Sequence, residues 1–144
     1  MSEYVQTETT IDAPIEDVAS YAADPSNAPE WYENIVSAEW ETPPPLQEGS
    51  RIAFAANWMD RRLEYTYEVV EFVPNERLVM RAAHSPFPME TIYTWQALGD
   101  ATTRMTLSNR APDDPEARRG MQRATEKDLE KLRSILERPP AGKP

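Results

Sequence analysis

The sequence contains no cysteine, one histidine and four glycines among its 144 residues. Without cysteine there is no disulfide, no thiol nucleophile and no thiolate zinc site. The single imidazole, His84, excludes a metal centre built on two histidines and leaves one ready-made neutral-pH base. Gly49, Gly99, Gly120 and Gly142 are too dispersed for a phosphate-cradling loop or a dinucleotide fingerprint. Basic residues are scarce too: 15 Lys plus Arg stand against 25 acids, a formal net charge of −10. Such a surface repels a phosphate backbone and argues against a nucleic-acid partner. No apolar run nears the roughly 18 residues a membrane span needs. Met1-Ser2-Glu3-Tyr4 does not open a basic-then-apolar signal segment, so a cytoplasmic location is expected.

Proline and aromatic residues are what the chain has in quantity. Its 14 prolines are about twice the usual share of roughly 5%. Acidity with abundant proline hints at disorder, but 4 Trp, 6 Tyr and 3 Phe oppose it, because disordered segments are poor in aromatics. The length suits one domain, expected over residues 1–138, with 139–144 as a mobile tail.

Hydrophobic periodicity divides the chain into elements. Val5, Thr7, Thr9 and Ile11 alternate with polar residues as in a strand. Pro14, followed by Glu16 and Asp17, starts a helix with Ile15, Val18, Ala19 and Ala22 on its apolar face. Asp24-Pro25 ends that helix, and residues 27–32 form a second short one carrying Trp31 and Tyr32. The period then becomes two. Val36, Ala38 and Trp40 define one strand, and Ile52, Phe54, Ala56 and Trp58 the next, with a tight connection at Met59-Asp60. Leu63, Tyr65, Tyr67 and Val69 share a face of a longer strand, which turns at Pro74-Asn75 into a strand over 78–84. Ser85-Pro86-Phe87-Pro88 breaks the chain before strands over 89–98 and 102–109, joined at Gly99-Asp100. A long helix follows, capped by Asp113 or Asp114 and running to Arg138, with Ala117, Met121, Ala124, Leu129, Leu132 and Leu136 at helical spacing. Gly120 inside it is read as a point of close approach to sheet or ligand.

One strand, two short helices, six consecutive strands and a long amphipathic helix give an α+β fold with an antiparallel sheet. Along that order stand Ile11-Asp12-Ala13-Pro14, Pro29-Glu30-Trp31, Tyr67-Glu68-Val69-Val70-Glu71 and Ala101-Thr102-Thr103-Arg104-Met105-Thr106. Order and motifs together resemble the helix-grip fold of the START and SRPBCC superfamily, which includes polyketide cyclase/dehydratase-like proteins and lipid-transfer domains. It implies a seven-stranded curved sheet wrapped around the C-terminal helix and an internal cavity for a hydrophobic, polyketide-like or lipid-like molecule. Residues 81–107, with Ser85-Pro86-Phe87 and Tyr93-Thr94-Trp95, also resemble bacterial aromatase/cyclases, whose tunnels are lined by aromatics, a serine and arginines. Arg81 matches one tunnel arginine; the positions of the other arginine and the serine hold Val69 and Tyr67. Three functions stay open on these grounds: a cyclase/dehydratase performing aldol closure or water loss, a non-catalytic carrier or sensor, and a protein-interaction module, the last weakened by the acidic surface. An acyl carrier protein is a further partner such an enzyme would use. No cofactor and no metal are implied.

Candidate chemistry falls on few residues. Tyr65 and Tyr67, on one strand face, offer phenol donors that would orient a carbonyl. His84 is the candidate base, and Arg81 would neutralise an enolate or carboxylate. The two lie on opposite faces of a regular strand, so only one can enter a cavity without a bulge. Leu63, Met80, Tyr93, Trp95, Met105, Leu107 and Met121 are cavity-wall candidates or, equally, core residues. Phe54 joins this wall, Trp31 with Tyr32 is placed to gate an entrance or anchor the core, and Asn57 and Asn109 sit at the mouth. Arg118, Arg119 and Arg123 cluster at the start of the long helix.

Overall fold

The computed structural model describes residues 3–58, 60–82 and 89–137. His84, the 85–88 break, Met59 and the expected tail lie outside them. Strand β1 (Tyr4–Ile11) leads to α1 (Ile15–Ala23), a 3-10 turn (Pro25–Asn27) and α2 (Ala28–Trp31). Six strands follow: β2 (Ile35–Trp40), β3 (Arg51–Trp58), β4 (Arg61–Val73), β5 (Arg77–Ala82), β6 (Glu90–Gly99) and β7 (Thr102–Arg110). Helix α3 (Pro115–Leu136) is the last element among the described residues. The sheet is antiparallel in the order β1-β7-β6-β5-β4-β3-β2. β1 joins the last strand, and β2 is the opposite edge. This is the helix-grip arrangement that the resemblance implies.

Local chemistry accounts for the boundaries. Asp114 caps α3 by accepting the Ala117 N–H at 2.8 Å, with Pro115 in the first turn. The β4–β5 turn uses Asn75 at φ 64°, a left-handed conformation that asparagine tolerates. In β2 the register slips between Ile35 and Ser37. This bulge turns Val36 outward, 45% exposed, and sends Ile35 to the core in its place. Gly120 makes no close approach to the sheet, since a Cβ there would meet no protein atom of the described residues within 4 Å.

The inner face of the sheet is divided along its strands. At one end Ile11, Val18, Trp31, Ile52, Leu78, Met105 and Leu107 pack with Leu129 and Leu132 of α3 into a dry plug, each at most 1% exposed. Towards the other end, the row Met80–Thr91–Asn109 across β5, β6 and β7 begins a cavity. Helix α3 serves both halves: Leu129 and Leu132 seal the plug, while Ala117, Met121, Ala124, Thr125 and Asp128 wall the cavity.

Candidate functional site

The cavity has a volume of about 750 Å³, within the range that holds a small organic ligand. Its apolar wall is built by Phe54 from β3, Leu63 from β4, Met80 from β5, Met89 before β6 and Met121 from α3. Alternation along β4 brings Leu63, Tyr65 and Tyr67 to it together. Phe54, Tyr65 and Tyr67 form an aromatic corner, with ring centroids 5.2–5.9 Å apart.

The two β4 tyrosines differ in what their hydroxyls do. Thr91 donates its one hydroxyl proton to Asn109 Oδ1 at 2.7 Å. Tyr67, 2.9 Å from Thr91 Oγ1, must therefore be the donor of that pair. Its proton is committed within the wall. The Tyr65 hydroxyl has no hydrogen-bond partner among the described residues and faces the cavity with its proton unspent. A second phenol pair joins elements distant in sequence: Tyr32, after α2, meets Tyr93 of β6 with hydroxyls 2.7 Å apart. One proton serves that bond, and the other is left for a ligand. Burial pushes the Tyr67 hydroxyl up to about 12, the bond with Thr91 opposing it. Burial also raises Tyr32, Tyr65 and Tyr93 above the ordinary phenol value. All four are neutral donors near neutral pH.

Beside them stands Asp128, on α3 and only 4% exposed. Burial raises its carboxyl to about 6, against the opposing hydrogen bond from the Glu33 backbone N–H at 3.1 Å. That bond uses Oδ1; Oδ2 has no hydrogen-bond partner among the described residues. Sequence reading did not single out Asp128, yet its position carries a signal. It falls four residues after Ala124 and four before Leu132, so it is an acid inside the apolar stripe of α3. Thr125 and Thr91 were missed for a simpler reason: threonine is ordinary at both helix and strand positions.

Of the other sequence candidates, Phe54, Leu63, Tyr65, Tyr67, Met80, Tyr93, Asn109 and Met121 line the cavity. Asn57 and Tyr32 do as well. Trp31, Trp95, Met105 and Leu107 do not: they face inward but belong to the dry plug. Arg81 is on the outer face, its side chain 61% exposed and its Nε 2.6 Å from Glu90 Oε2. Strand parity is the reason, since Met80 takes the inner position. Glu90 also accepts the Tyr4 hydroxyl. Burial would raise the Glu90 carboxyl, but the bonds from Tyr4 and Arg81, with the charges of Arg81 and Arg110, hold it below the usual range. His84 lies outside the described residues.

Solved structures share this architecture across nearly the whole chain. TTHA0849 from Thermus thermophilus superposes with TM-score 0.77 at 20% identity, covering 92% of this chain and 96% of that one. The Zhui aromatase/cyclase from Streptomyces sp. R1128 gives 0.78 at 18%, covering 96% and 97%. A START superfamily protein from Mycobacterium smegmatis gives 0.72 at 15%, covering 94% and 95%. Among curated proteins none matches the chain in sequence. Residues 3–137 do match the family described as polyketide cyclase / dehydrase and lipid transport, and the chain, a domain of the hydrophobic-ligand-binding type, belongs to that family.

Proposed function

We propose that the cavity binds a carbonyl-bearing, largely apolar molecule of the polyketide kind and promotes its aldol closure or dehydration. The observation that carries this reading is the pairing of unspent phenol protons with a raised carboxyl in one apolar chamber. Aldol closure needs a base for the proton beside a carbonyl and a donor where enolate charge develops. Asp128, near 6, is ionised at neutral pH yet close enough to it to take and return a proton. It removes the C–H proton while Tyr65 or the free proton of the Tyr32–Tyr93 pair hydrogen-bonds the carbonyl oxygen. The enolate carbon attacks the second carbonyl, the ring closes, and Asp128 returns its proton to the alkoxide that forms. In dehydration Asp128 takes the remaining proton from the carbon beside the ketone and delivers it to the β-hydroxyl, which departs as water as the C=C bond forms. His84 is the second base to test, and an acyl carrier protein the macromolecular donor this reading expects.

An apolar 2,6-diketone such as tridecane-2,6-dione tests the idea, because its closure and water loss give a conjugated cyclohexenone visible in the ultraviolet. The chain is expected to accelerate that change over buffer. Asp128→Asn should lose about 100-fold or more, the size of a general-base contribution, and Tyr65→Phe about 10-fold, with His84→Ala near wild type. Binding without acceleration supports the second reading, a carrier or sensor of a hydrophobic metabolite or lipid. The predominance of apolar side chains in the wall favours that alternative.

A further inference from the structure

The chamber is also electrically one-sided. Among the described residues that line it, three are acids, Glu90, Asp113 and Asp128, and one is a cation, Arg110. Arg110 is engaged by Glu3 at 3.2 Å. Glu90 is held by Arg81 and Tyr4 on the outer face, and Asp113 is exposed ahead of α3. The buried charge left without a counterion at the ligand space is therefore Asp128, whose Oδ2 carries no protein partner among the described residues. No guanidinium or ammonium of the described wall is free to receive an anion there.

From this geometry we infer that the cavity is a charge filter, with Asp128 as its specificity-determining residue. It accepts apolar ligands whose polar end is neutral or cationic and refuses those ending in an ionised carboxylate. The filter rests on the cavity being the binding site, as proposed above, and deepens that reading by naming the ligand class. Ketones, alcohols, esters and amines belong to it; free fatty acids do not.

The physical reason is desolvation. An anion entering an apolar chamber loses its water and needs a compensating cation or several donors. Here it would instead meet a second anion at short range, in a medium where like charges repel more strongly than in water. The other titratable groups around Asp128 do not relieve this. Glu33, beyond α2, adds negative charge, while Tyr32, Tyr65 and Tyr93 stay neutral. A cation gains on the same account, from the Asp128 carboxylate and from the tyrosine ring faces.

Decan-1-ol, decanoate and decylamine share one chain and differ in charge, so their affinities at pH 8 isolate the filter. Decanoate is expected to bind at least about 10-fold more weakly than decanol, with decylamine the tightest. Asp128→Asn should narrow the gap between decanoate and decanol by about 3-fold or more and remove the preference for decylamine, leaving only the desolvation cost common to any charge. Decane-1-sulfonate, anionic at every pH used, gives a reading on the unmutated chain: its affinity should rise about 5-fold or more from pH 8 to pH 5 as Asp128 gains its proton. Decanoate binding as tightly as decanol overturns the filter, as does discrimination undiminished by Asp128→Asn or a sulfonate affinity flat with pH. If none of the three head groups binds, the cavity reading itself fails, and the filter with it.

Discussion

At the residue scale the molecule turns on one acid in an apolar place. Asp128 is raised from the ordinary aspartate value to about 6 because burial disfavours its charge. Between about pH 4 and pH 6 the folded chain thus holds a proton that the unfolded chain has released. Stability from this group falls as pH rises through that window, and the cost is fully present above pH 6. Asp128→Asn keeps an oxygen for the Glu33 N–H and removes the charge. Denaturant melts should show it more stable than the parent by on the order of 2 kcal/mol at pH 8, and nearly equal at pH 4. Tyr65 and Tyr67 teach the same lesson of context. Their alternation is plain in the sequence, but only the Thr91–Asn109 chain decides that the Tyr67 hydroxyl is occupied, while that of Tyr65 has no partner among the described residues.

At the element scale, periodicity and caps were legible, and their exceptions have local causes. The strand faces of β3, β4 and β5 follow from alternation, and Asp114-Pro115 places the start of α3. β2 departs from the pattern because a bulge puts Val36 outside, and a bulge is set by the pairing strand as much as by the bulged one. Gly120 departs in the other direction. It sits in the interior of α3 without a close neighbour, so its flexibility is a cost with no packing return. Gly120→Ala should raise stability by about 0.5–1 kcal/mol, seen as a higher melting temperature with unchanged ligand affinity.

For the whole molecule, the division between dry plug and open cavity dominates the energetics. Leu132 is fully buried in the plug, and Leu132→Ala should cost about 2–5 kcal/mol through lost transfer energy and an unfilled hole. Met121 lies about three turns earlier on the same helix, against the cavity and partly exposed. Met121→Ala opens a space that is already open, and should cost less than about 1 kcal/mol while changing ligand affinity. Chemical denaturation of the two variants side by side measures the contrast. On the outer face, the register aligns Arg51, Glu68, Arg81 and Glu90 across β3 to β6 in alternating charge. Arg81 belongs to that row and not to the cavity, which is a property of the sheet as assembled.

What the sequence by itself determined was local: the elements and their order, most strand faces, the caps, and the prolines that punctuate them. These follow from steric and hydrogen-bonding preferences that act over a few residues. The tertiary structure decided depth. Trp95, Met105 and Leu107 face the same way as Tyr65 and Met80, yet only the crossing of α3 over the sheet determines which lie in the plug and which line the chamber. It also decided charge. Whether an aspartate is an ordinary surface acid or a raised carboxyl facing ligand space is a sum over atoms from distant segments. No period or spacing along the chain contains that sum.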